Sequence, residues 1–95
     1  MKRKLRKFLG FKMYELIFEK RALRDLNKLE KNIKKRIWDK LQECKMDPFI
    51  FLEPLVKIRG FKLRVGDYRI IIDVGKKIEI LNVLKVGHRK NIYER

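Results

Sequence analysis

The stretch "FKLRVGDYRIII", residues 61–72, leaves the chain little choice of local structure. Apolar and cationic residues alternate on both sides of Gly66-Asp67, a pair suited to a two-residue hairpin turn. The turn sets Val65 opposite Tyr68, Arg64 opposite Arg69 and Leu63 opposite Ile70. Phe61, Leu63, Val65, Tyr68, Ile70 and Ile72 then share one face of the ribbon, and Lys62, Arg64, Arg69, Ile71 and Asp73 share the other. A one-residue slip would bury Arg64 and Arg69, so the register is strongly specified. The apolar face has to be covered by something, and two like charges stand directly opposed, which is destabilising by itself.

The cover is found upstream. From Glu19 to Cys44 the apolar residues Ala22, Leu23, Leu26, Leu29, Ile33, Ile37, Trp38, Leu41 and Cys44 recur at threes and fours. This is helical spacing, and it predicts a helical hairpin of about residues 20–30 and 33–45 with Asn32 as cap at the break. Trp38 and Cys44 fall on the stripe and are expected in the core, Cys44 as a packing residue and not a nucleophile. Pro48 and Pro54 bracket a connection expected to be non-helical. "YELIF" before the helices, "KIRGFKLRV" and "YRIIIDV" around the turn, and "IEILNVLKV" after "GKK" read as four strands, with Gly87 ending the last. The order β-α-α-β-β-β implies an α+β fold in which two N-terminal helices pack on one face of a four-stranded, largely antiparallel sheet, the first strand being free to pair with the last.

Composition changes at Met13. Residues 1–12 hold six Lys or Arg and no acid, which marks a basic extension: a tail, an RNA-grasping arm or an interfacial helix using Leu5, Phe8 and Leu9. Residues 13–95 form the expected single domain. Of the net charge of +15, residues 13–56 carry only +2 and residues 57–95 carry +7. Cationic ends favour a polyanionic partner, nucleic acid or acidic protein. One cysteine excludes an intramolecular disulfide and a Cys-rich metal site, and no apolar run approaches the length of a membrane span. "FLGF" is too short for a signal peptide, so a cytoplasmic location is expected.

The opposed arginines have two explanations. Long side chains can splay into water, where repulsion costs well under about 1 kcal/mol. Alternatively, the face holds planar guanidiniums around an anionic phosphate. The segment "KVGHRKNIYER" adds Arg89 and Tyr93 after the last strand, where they can converge on the cationic face.

"LRVGDYRIII" followed by "VLKVGHRKNIY" resembles the RelE/ParE superfamily of toxins from toxin–antitoxin pairs, and specifically its RelE-type messenger-RNA interferases. The resemblance spans about residues 13–95 and includes the Met-Tyr strand start and the "KRALRDLNKL" helix. It implies a RelE-like fold and ribosome-dependent, metal-independent cleavage of messenger RNA in the A site by attack of the ribose 2′-hydroxyl on the adjacent phosphate. By position, it implies that Lys62, Arg64, Arg69 and Arg89 form the basic catalytic cluster and that Tyr93 orients or stacks on substrate. Lys85, His88 and Lys90 are the further RNA-contacting candidates, His88 being alternatively a backbone-anchoring turn residue. Gly60 stands where some relatives have a first alternating lysine, and the tail is shorter than in some. The implied partners are an acidic RelB-like antitoxin, the ribosome and messenger RNA, with no membrane, metal or small-molecule cofactor.

Two other functions fit parts of the pattern. A ParE-like poison of DNA gyrase would share the fold but keep only part of the arginine cluster. A noncatalytic RNA-binding module should interleave aromatics with cations for base stacking, whereas Phe61 and Tyr68 lie on the opposite face from the cations.

Overall fold

The computed structural model describes residues 13–75 and 79–92. Strand β1 (Glu15–Phe18) leads into helices α1 (Lys20–Asn27) and α2 (Lys31–Met46) and a single helical turn, α3 (Pro48–Phe51). Strands β2 (Glu53–Pro54), β3 (Phe61–Val65), β4 (Tyr68–Val74) and β5 (Ile80–His88) follow. They form one sheet of order β1-β5-β4-β3-β2, parallel between β1 and β5 and antiparallel elsewhere. The fold is α+β, as its pattern implies, with five strands in place of four.

The helices cover the apolar face of the hairpin. Ala22, Leu26, Ile37, Leu41 and Cys44 meet Leu63, Ile70, Ile72, Leu81 and Val83 in one buried cluster. All of these except Leu26 are at most 1% exposed. At about 1.5–3 kcal/mol for each buried aliphatic side chain, this layer is the main source of stability. Burial pushes the Cys44 thiol up to about 11 against the opposing pull of the Lys40 charge, which keeps it a neutral packing group.

Several elements depart from expectation. Pro48 starts a helical turn instead of preventing one: at the first helical position its missing N–H is no loss, and the Leu52 amide donates to the Pro48 carbonyl (2.9 Å). The unexpected strand β2 pairs Glu53 with Lys62 and Pro54 with Phe61 at the sheet edge, where proline is tolerated. Residues 57–60 are not strand. The Leu55 amide donates to the Gly60 carbonyl (3.0 Å), closing a loop in which Gly60 takes φ +118°. The second helix starts at Lys31 with Glu30 in the extended cap position, and Asn32 lies inside its first turn, where its Oδ1 accepts from the Ile33 amide (2.9 Å). Strand β5 runs through Gly87, which pairs with Arg69.

Trp38 is not core. It is 47% exposed and stacks on Phe18 with ring centroids 5.9 Å apart. The buried stripe of α2 runs through Ile37, Leu41 and Cys44, and Trp38 is displaced about 100° from Ile37 around the helix, onto the flank beside β1. Leu23 is likewise exposed on α1.

Strand β1 stops at Phe18, paired with Val83, so β5 beyond that point has no strand on its β1 side. There Asp25 of α1 accepts a hydrogen bond from the Val86 amide (3.0 Å). Among the described residues, no helix is long and apolar enough to cross a membrane.

Candidate functional site

The hairpin takes the register its alternation requires, with Arg64 paired to Arg69 and Lys62 to Ile71. Gly66 has φ +59° and Asp67 a negative φ, the signs of a type II′ turn, for which glycine comes first. The two arginines then diverge. Arg64 Nη1 donates to Glu53 Oε2 (3.4 Å), while Arg69 Nη1 turns back to the carbonyls of Gly66 and Tyr68 (2.9 Å each). Lys62 Nζ lies 3.8 Å from Glu53 Oε1. One carboxylate thus stands before two cations, and the repulsion expected between Arg64 and Arg69 is relieved by their opposite directions. These pairs are exposed, so each contributes only about 0–1 kcal/mol.

Strand β5 extends this outward face through an irregularity. Ile71 pairs with Lys85 but Ile72 with Val83, leaving Leu84 as the extra residue of a bulge. Without the bulge, strict alternation from the buried Val83 would turn Lys85 inward. With it, Lys85 joins Lys62 and Ile71 in one cross-strand row, and Gly87 joins Arg64 and Arg69 in the next. Ile71 is only 6% exposed, so the face is not purely cationic. The register puts it between Lys62 and Lys85.

The chain after β5 folds back over this face. The amides of Asn91 and Ile92 donate to the His88 carbonyl (2.9 and 3.0 Å), and Ile92 is 5% exposed against Gly87, where a Cβ would come 3.0 Å from Ile92 Cδ1. The Arg89 amide donates to the Asp67 carbonyl (2.7 Å), and its Nε lies 3.6 Å from Asp67 Oδ1. Arg89 is therefore tied to the hairpin tip. His88 pairs with Tyr68 on the helix-covered face, their rings edge to face at 5.5 Å, and its Nδ1 accepts from the Lys90 amide (3.2 Å). His88 thus stands on the face opposite Lys62, Arg64 and Arg69, packed on Tyr68 and bonded to the turn that follows β5. Lys90 is exposed in the turn, and Tyr93 lies outside the described residues, as do residues 1–12.

The sequence-predicted cations thus form two neighbouring groups, Lys62 and Arg64 with Glu53, and Arg69 and Arg89 at the hairpin tip with Asp67. Glu53 was missed because its strand is two residues long and contains a proline. The signal was present in the parity it shares with Lys62 across the β2–β3 pair. A family model described as the ParE toxin of the type II toxin–antitoxin system parDE matches residues 16–93.

The chain belongs to the RelE/ParE toxin superfamily.

Within it, this RelE-like toxin is 33% identical over 86 residues to toxin RelE3 of Methanocaldococcus jannaschii, covering 84% of this chain and 96% of that one. It is 32% identical over 83 residues to a RelE-like toxin protein of Escherichia coli, covering 81% and 84%. Among solved structures, the RelBE2 toxin–antitoxin complex of Mycobacterium tuberculosis is similar at a TM-score of 0.75 and 27% identity, over 82% of this chain and all of that chain. The isolated E. coli RelE toxin is similar at 0.70 and 27%, over 79% and 83%. In this chain Lys62, Arg64, Arg69 and Lys85 stand on the sheet face opposite the helices.

Proposed function

We propose that this RelE-like toxin is a ribosome-dependent endoribonuclease that cleaves messenger RNA in the A site and is held in check by an acidic, RelB-like antitoxin. The observation that carries the reading is the placement of Lys62 and Arg64 side by side on the outward face with the Glu53 carboxylate before them. A phosphodiester entering this face exchanges one anion for another: it displaces Glu53 from the two cations and takes their charge.

The chemistry follows from that exchange. The ribose 2′-oxygen forms a bond to the adjacent phosphorus, the bond to the 5′-oxygen breaks, and a cyclic phosphate and a 5′-hydroxyl result. Lys62 and Arg64 stabilise the charge building on the pentacovalent phosphorane, Arg69 and Arg89 hold the RNA backbone at the hairpin tip, and Tyr93 stacks on a base. Arginine does not surrender a proton at neutral pH, so the displaced Glu53 is the acceptor for the 2′-hydroxyl proton and Lys62 assists the leaving oxygen. The presence of Arg64, Arg69, Arg89 and Tyr93 together supports this reading over a ParE-like gyrase poison. The complexes of RelE-type toxins with RelB antitoxins in M. tuberculosis, E. coli and Methanococcus jannaschii support a cognate antitoxin here. The +15 charge makes that association fast and salt-sensitive.

The test is cell-free translation with purified protein and primer extension of the messenger, beside an Arg64→Ala/Arg69→Ala double variant. New 5′ ends inside ribosome-occupied codons, absent without ribosomes and lost in the variant, are the expected result. Intact messenger with normal translation would overturn the reading and direct the next assay to gyrase supercoiling.

A further inference from the structure

A third arginine reaches the hairpin tip from a different part of the chain. Arg36, exposed on α2, lies against Gly66: its Nη2 is 3.0 Å, and its Cζ and Nη1 3.6 Å, from where a Cβ on that glycine would be. Gly66 thus serves twice, supplying the positive φ of the turn and the bare backbone that the guanidinium approaches. Around the same two residues stand Arg69, donating to the Gly66 and Tyr68 carbonyls, and Arg89, whose Nε faces Asp67. Three guanidiniums thus meet at the turn, Arg36 and Arg69 at Gly66 and Arg89 at the Asp67 carboxylate. Among the described residues Arg36 enters no ion pair, and the acid three residues along its helix, Asp39, is engaged by Lys35 at 2.9 Å.

We infer that Arg36 joins Arg69 and Arg89 in a second phosphate-binding position, at the hairpin tip, that holds the RNA backbone next to the position formed by Lys62 and Arg64. The inference rests on the RNA-cleavage reading and extends it to a residue on the helical layer. Arg64 and Arg69 start from paired positions and diverge, one toward the sheet edge and one toward the tip. The two positions therefore flank a single strand pair, as adjoining phosphates of one RNA strand require. Planar guanidiniums offer forks matched to phosphate oxygens. Arg36 is placed to bind and orient, and the reacting phosphate belongs to the other position.

The test measures binding by the full chain of a labelled oligouridylate across a salt series, and kcat and KM for messenger cleavage on programmed ribosomes. Wild type is compared with Arg36→Ala, Arg36→Lys and Lys31→Ala, the last removing one charge from the start of the same helix. For Arg36→Ala we expect affinity to fall roughly fivefold at low salt and the slope of log K against log salt to shrink by about 0.7. KM should rise with kcat unchanged, thermal stability should hold, and Arg36→Lys should recover part of the loss. An Arg36 effect seen only on ribosomes assigns the phosphate to an RNA presented there, and one seen in both arms assigns it to the messenger strand. An Arg36→Ala variant indistinguishable from Lys31→Ala in both arms overturns the inference while leaving cleavage by wild type intact. So does a loss confined to antitoxin binding. Failure of wild type to bind or cleave RNA at all removes the cleavage reading and this inference together.

Discussion

Asp25 and Val86, 61 positions apart in sequence, are joined by a hydrogen bond of 3.0 Å from the strand amide to the helix carboxylate. The contact completes β5 where β1 runs out, replacing a missing strand with one side chain. It also positions the end of β5 from which Arg89 departs for the hairpin tip.

Asp25→Ala leaves that amide without its acceptor and should destabilise the protein by about 1–3 kcal/mol. At about 4–8 °C per kcal/mol for a domain of this size, the melting temperature should fall visibly. Asp25→Asn, which keeps an acceptor oxygen, should lose much less. Equal losses in the two variants would mean the hydrogen bond is not what matters.

Glu53→Gln should separate binding from chemistry. Removing the carboxylate that faces Lys62 and Arg64 should strengthen binding of oligouridylate at low salt. Turnover on ribosomes should fall by about 10²–10⁴-fold if the carboxylate takes the 2′-hydroxyl proton. A variant with tighter binding and undiminished turnover would leave Glu53 a competitor for phosphate and nothing more.

Cys44 gives the fold an alkaline limit. Its thiol is raised from 9.0 to about 11 in the folded protein, mainly by burial, so the folded state holds the proton more tightly than the unfolded chain. The resulting stability is complete below pH 9 and is lost as pH rises from about 9 toward 11. Chemical denaturation across this range should show the decline, and Cys44→Ala should flatten it while costing stability at neutral pH. The native thiol should also resist alkylation at pH 8.

Ile70 and Trp38 should respond in the reverse order of their size. Ile70 is fully buried at the centre of the sheet, so Ile70→Ala should cost about 2–5 kcal/mol. Trp38 is half exposed against Phe18, and Trp38→Ala should cost about 1 kcal/mol, the worth of one aromatic contact. Urea midpoints of the two variants decide it.

The sequence was most legible where two constraints agreed. Alternation and the Gly66-Asp67 turn together determine the hairpin to the residue, and the helical stripe locates Ile37, Leu41 and Cys44 in the core. It was less legible where a local rule met its exception. Pro48 reads as a helix breaker until its place at the first helical position is known, and Pro54 conceals an edge strand. Trp38 has the right spacing but the wrong angle, a distinction that needs the helix's orientation against β1. The divergence of Arg64 and Arg69 depends on Glu53 and on the turn carbonyls. The approach of Arg36 to Gly66 leaves no trace in sequence, because a lysine- and arginine-rich helix face looks the same whether it meets water or a turn.

The parallel pairing of β1 with β5 also sets an order of events during synthesis. Strand β1 emerges first, yet its neighbour in the sheet is encoded more than 60 residues later, after both helices and the hairpin. Until β5 is available, the sheet lacks its second strand, and Lys85 and Arg89 are absent from the cationic face. Contacts so distant along the chain form late. On the proposed function, a nascent toxin has no assembled catalytic face to turn against the ribosome that is making it.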